Sequence, residues 1–152
     1  MKRLLLATII LALAMPVIAG APPPPSHQQY PPPIQLYMMN CWGCHQTGGE
    51  GTPGAVPRFK DTVGNFLRVP GGRGYLVEVP GVAGSALSNA QIAQVLNWLL
   101  VAFSKPQLPS GFKPYTETEV ALYRPHELND IRAVRADLVA KLAARGIALP
   151  RQ

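Results

Sequence analysis

Cys41-Trp42-Gly43-Cys44-His45 sets two thiols three positions apart and puts an imidazole directly after the second. On one helical turn that spacing lets both sulfurs reach the two vinyl groups of a porphyrin while the imidazole faces the iron. C-x-x-C-H therefore reads as the attachment site of one covalent c-type haem, with His45 as its proximal ligand. Two other chemistries use part of the same pattern. A thiol–disulfide redox pair expects a preceding strand and a βαβ setting, whereas the flanks here are a proline-rich stretch and a glycine-rich one. A zinc site needs more ligands, and only His27 and His126 remain to supply imidazoles.

The chain has 152 residues and no other cysteine. Lys2 and Arg3, the apolar run Leu4 to Ala14, Pro16 and the small residues around Ala19 have the three-part form of a secretory signal, with cleavage expected after Ala19. The run is well short of the about 20 residues that a spanning helix needs, so no membrane span is expected after cleavage; an uncleaved anchor is the other reading. The mature chain is then placed in the periplasm. Exported chains normally use cysteines in disulfides, so a pair this close has a local use. Without the signal, two basic residues go and the formal charge of +6 falls to +4. Seven of the remaining basic residues lie beyond Pro106, interleaved with five acidic ones, a solvated helical face and no nucleic-acid patch.

The elements that must position the motif follow from punctuation and periodicity. Seven prolines between Pro22 and Pro33 make residues 20–33 an extended leader. Pro33 suits a first helical turn, and Ile34, Tyr37, Met38 and Cys41 recur at helical spacing, so a short helix runs into the cysteines. Gly48, Gly49, Gly51, Pro53, Gly54 and Pro57 make residues 46–58 a loop. A short helix is expected around Asp61 to Leu67, then irregular chain through Pro70, Gly71, Gly72 and Gly74, with a brief period-two alternation from Tyr75 to Val79. Ser88 and Gln91 form a capping box ahead of the stripe Ile92, Val95, Leu96 and Leu99. Thr116 with Glu119 repeats the signature, and a last helix from about Asn129 to Arg145 carries Ile131, Val134, Leu138 and Leu142 before Gly146. The domain plan is a signal (1–19), a leader (20–33), a haem-binding segment (34–105) and a helical C-terminal extension (106–152). Nothing resembles a nucleophile–base pair, a phosphate loop or a carboxylate dyad, so an enzyme is not expected.

From Leu36 to Phe103 the chain resembles the class I monohaem cytochromes c. The likeness rests on Tyr37, the Cys41-to-His45 motif, Gly48-Gly49-Glu50-Gly51, Pro57, and Leu87-Ser88 opening a helix with Leu96, Trp98 and Leu99. It implies an all-α fold around the haem, a first helix crossing the last near Trp98, and a Pro57 carbonyl that receives the free N–H of His45 and orients it. It also implies an electron carrier moving single electrons between a dehydrogenase and a respiratory acceptor.

One part of the resemblance fails. The methionine that usually binds the second face of the iron would fall in Val79-Pro80-Gly81-Val82-Ala83-Gly84-Ser85, where Val82 stands in its place, and no methionine follows Met39. Met38 and Met39 read as core filler. His126 is the leading candidate for the sixth ligand, with His27, Lys60, Tyr75, Asn89, water or an empty position as the others. An open iron would make the protein a sensor or scavenger of NO, CO or O₂ instead. Arg58, Arg68 and Arg73 are either propionate partners or solvated loop residues. Phe59, Phe66, Leu67, Tyr75 and Leu76 are expected to line the haem or close the core over it.

Overall fold

The computed structural model describes residues 31–150; the signal and most of the leader lie outside that range. The described chain is all-α. Its helices are α1 (Pro33–Asn40), α2 (Trp42–His45), α3 (Gly72–Glu78), α4 (Pro80–Ala83), α5 (Asn89–Ser104), α6 (Glu117–Tyr123) and α7 (Ile131–Ala143), with 3₁₀ turns at Val63–Arg68 and Lys105–Gln107. Among the described residues the only β-type pairing is an isolated bridge, Thr52 to Val56.

Several elements form for the reasons read from the chain. Pro33 starts α1. Ser88 Oγ accepts from the Gln91 N–H while Gln91 reaches back to the Ser88 N–H, a complete capping box. Thr116 and Asp130 cap α6 and α7 with one side-chain bond each, accepting from the N–H of Glu119 and Ala133, and the Glu119 carboxylate goes to Arg73 instead of completing a box. Gly146 follows α7 at φ +72°, a left-handed stop that glycine takes without steric cost.

Two stretches differ from expectation. The glycine-rich segment before Tyr75 is helical from Gly72 onward, and Tyr75 to Glu78 continue α3 with no alternation. Gly71 turns the chain at φ +88°, and a Cβ on Gly72 would collide with the Phe66 carbonyl. These glycines allow α3 to pack against the preceding turn, so here glycine permits a helix where composition alone argues against one. The second correction concerns α1. Its buried residues are Leu36 and Tyr37, while Ile34, Met38 and Met39 are exposed, Met39 by 73%. Both sides of this helix are apolar in sequence, and the side bearing Leu36 won, so the two methionines are surface residues and not filler.

The core has two parts. Leu36, Tyr37 and Val95 form a small cluster where α1 crosses α5, with Tyr37 and Trp98 ring centroids 5.3 Å apart. A larger cluster joins Val63, Phe66, Val69, Tyr75, Leu76, Val77, Ile92, Leu96, Leu99 and Leu100 to four residues of the extension, Tyr115, Val120, Leu138 and Leu142. The extension thus closes over the central segment in one continuous core, each buried Leu adding on the order of 2 kcal/mol.

Polar latches fix its path. Asn97 on α5 pairs with both main-chain groups of Tyr115: Oδ1 accepts from the N–H at 2.7 Å and Nδ2 donates to the carbonyl at 2.9 Å. The Tyr115 hydroxyl donates to the Arg73 carbonyl. The Arg73 guanidinium lies over the Tyr115 ring and forks onto Glu119 at 2.6 Å. Arg68 donates to the carbonyls of Gln107 and Leu108. Asn97→Ala leaves both main-chain groups of buried Tyr115 unpaired, and is expected to lower unfolding stability by about 2–3 kcal/mol, read as a reduced denaturant midpoint.

Candidate functional site

The motif sits at a helical joint. Cys41 closes α1, its N–H donating to the Tyr37 carbonyl, and opens α2, its own carbonyl accepting from His45 N–H at 2.9 Å. One short turn therefore carries both thiols and the imidazole. Neither cysteine is in a disulfide; Cys41 is half-buried and Cys44 exposed. Burial, reinforced by the neighbouring Cys44, pushes the Cys41 thiol up to about 11. That is opposite to the depressed value a disulfide-exchange nucleophile requires. Among the described residues no group of three or more His, Cys, Asp or Glu side chains gathers as an ion cage, so the zinc reading has no ligand set to stand on.

His45 Nδ1 lies 3.0 Å from the Pro57 carbonyl oxygen. A carbonyl only accepts, so Nδ1 carries the proton and Nε2 is left with the free lone pair. Burial pushes the imidazole below its ordinary pKa, partly opposed by this bond, which favours the neutral form that binds iron. Phe59 stacks on the ring, centroids 3.8 Å apart and planes 15° from parallel.

The loop that delivers Pro57 is held at several points. Thr52 and Val56 exchange main-chain bonds, and Gly49 O accepts from both Phe59 and Lys60. Gly51, at φ +68°, packs so close that an added Cβ would strike the Val56 carbonyl and come within 2.8 Å of Pro57 O. Gln46, directly after the histidine, has φ +61°, a conformation that a side chain normally avoids. Three bonds hold it there: its N–H to Trp42 O, its Nε2 to Gly51 O at 2.8 Å, and the Tyr37 hydroxyl onto its carbonyl at 2.5 Å. The Gln46 turn and its Tyr37 strut carry no sequence signature beyond the tyrosine itself.

Half-exposed apolar side chains pack on both core clusters. Trp42, Phe59 and Leu87 pack with Cys41 against the small core, and Phe59, Leu67, Val79, Val82 and Leu87 rim the large one. Two unpaired thiols, one oriented imidazole lone pair and an apolar rim together fit a porphyrin. Cys41 and Cys44 would hold its vinyl-derived carbons, and His45 Nε2 its iron.

Other expected residues lie elsewhere. Phe66, Tyr75 and Leu76 are core, and Leu67 is on the rim. Arg58 stays in the loop with an exposed bond to the Lys60 carbonyl, whereas Arg68 and Arg73 are engaged by the extension and are not solvated loop arginines. Val82 lies in α4, and residues 79–88 contain no sulfur, imidazole, phenol or amine side chain. His126 is exposed in the turn after α6, its main-chain N–H on the Tyr123 carbonyl. Its neighbours Arg124 and Leu128 bond the segment from Glu78 to Asn89, which puts that turn beside α4. His27 falls outside the described residues.

The family model described as Cytochrome c matches residues 34–102. Two proteins of Thermus thermophilus, both named Cytochrome c-552, are each 35% identical to this chain over 106 residues. That alignment takes in 58% of this chain and 81% and 72% of theirs.

Gly51→Ala forces a side chain into the Pro57 carbonyl and into a left-handed φ. It is expected to cost at least about 2 kcal/mol in chemical unfolding and to shift the His45 ring ¹⁵N resonances, because the acceptor of its Nδ1–H must move.

Proposed function

The chain belongs to the class I cytochrome c family and so carries covalent haem c, and from that premise we propose that it works in the periplasm, passing single electrons from a dehydrogenase to a respiratory acceptor. It is a haem-based electron-transfer protein. The haem iron supplies the chemistry, taking up and releasing one electron without any bond being made or broken by the chain. The observation that carries the reading is the His45–Pro57 bond, which fixes tautomer and ring plane and raises the basicity of Nε2.

The protein's own residues do the rest. Cys41 and Cys44 anchor the group, and Cys44, exposed beside half-buried His45, puts that anchor at the surface, where a partner docks briefly through a small contact. Phe59, stacked on His45, and Trp42, packed with Cys41 on the small core, would shield the attachment turn from water, and a drier surround tunes potential. A charge of +4 without the signal favours acidic partners through a modest field. Among the described residues no helix is long and apolar enough to cross a membrane.

For the sixth position we propose His126, the second imidazole of the described chain, on the turn that packs beside α4. A second reading rests on residues 79–88, whose side chains offer the iron no strong ligand: an open haem that binds NO, CO or O₂ as a sensor or scavenger. Absorption spectra separate the two. The carrier is expected to be low-spin, slow to bind CO when reduced, and without the methionine charge-transfer band near about 695 nm, and His126→Ala is expected to convert it to high spin. A wild-type protein already high-spin and rapid with CO supports the sensor instead, and a band near about 695 nm overturns both assignments of the sixth position.

A further inference from the structure

Arg124 caps the C-terminus of α6 in the extension and is half-buried. Four of its five guanidinium N–H donors are used, all on one short stretch of the central segment. Nε donates to Ala83 O at 2.9 Å, one terminal nitrogen to Leu87 O at 2.8 Å and Asn89 Oδ1 at 3.0 Å, and the other to Ser85 O at 2.5 Å. A planar five-donor fork is the one side chain able to satisfy four acceptors at once.

The ends of the stretch are held by main-chain bonds from Ala83, Gly84 and Ser85 back to residues 79–82 and by the Ser88–Gln91 box, and Arg124 ties the two ends together. Residues 83–89 are Ala, Gly, Ser, Ala, Leu, Ser and Asn, and Leu87 is the only large apolar side chain among them. Leu87 packs against the same small core as Cys41, Trp42 and Phe59, and Phe59 stacks on His45. Through Leu87 the stretch therefore shares one small core with Cys41 of the attachment turn. It has no sulfur, imidazole, phenol or amine through which the iron could tether it.

We propose that Arg124 is a positioning residue that pins Ala83–Asn89 as one wall of the haem crevice, so that the C-terminal extension sets how freely a small ligand reaches the iron. The proposal rests on haem c being attached; because Arg124 also holds the turn that carries His126, the Arg124 variants are compared in wild type and also in the His126→Ala background, where a ligand role of His126 no longer contributes.

The test uses the exported holoprotein, with haem attachment confirmed by intact mass, as wild type, Arg124→Leu, Arg124→Lys and Glu119→Gln. Glu119 is the control: it latches the extension through Arg73 and does not touch residues 83–89. Removing a charged donor from four part-buried acceptors favours opening of the stretch, so Arg124→Leu is expected to bind CO at least about tenfold faster than wild type when reduced. Its midpoint potential is expected to move as well. Arg124→Lys, which keeps charge and stem but loses the fork, should fall between the two, and remains informative where the leucine variant fails to fold. Glu119→Gln should lose stability without either change. CO rates of both Arg124 variants within about twofold of wild type together with unchanged midpoint potentials, at stabilities matched to the control, overturn the proposal.

Discussion

The bond from His45 Nδ1–H to the Pro57 carbonyl sets the terms for its surroundings. Twelve residues separate the partners, and the intervening chain must leave α2, reverse and return with one oxygen in the right place. That explains the unusual backbone between them. Gln46 takes a left-handed turn at once, and Gly51 lets the returning chain approach without a Cβ in the way. Tyr37 reaches across from α1 to fasten the turn. The helix that leads into the thiols is thereby also the strut that stabilises the loop, so attachment and ligand orientation are parts of one rigid unit.

The extension is structural in the same sense. Tyr115, Val120, Leu138 and Leu142 sit in the core with Ile92 and Leu100, and removing them would leave the faces of α3 and α5 uncovered. Its polar contacts pair side chains with main-chain groups: Asn97 with Tyr115, Arg68 with Gln107 and Leu108, Arg124 with three carbonyls, Arg145 with the carbonyl of Arg68. Such bonds depend on backbone position and hold loops that lack regular partners of their own. A domain with a minimal helical set around its motif gains in this way a second belt of fixed loops.

Much of this was legible from residue types. The motif is defined by three residues in five, and the Ser88–Gln91 box and the Ile92 stripe mark α5 locally, as the capping signatures mark α6 and α7. Pro57 became visible through family resemblance, since nothing near it announces a carbonyl acceptor. What could not be read has a common cause. The inward face of α1 is undecided by periodicity because Ile34, Leu36, Met38 and Met39 make both sides apolar. α3 is hidden because its glycines serve tertiary contact with Phe66. Arg124 and Asn97 act on chain 18 to 41 residues away, where no local pattern records the pairing.

The outward turn of α1 has a chemical consequence. Met38 and Met39 are the only methionines among the described residues, and both are exposed to solvent. Oxidation to the sulfoxide turns an apolar side chain polar, which disrupts a core when the residue is inside one. Here the apolar part of the described interior is built from Leu, Val, Ile, Ala, Tyr and Phe, and it holds no methionine. Oxidation of Met38 and Met39 would therefore add polarity at the surface of α1, outside the buried core.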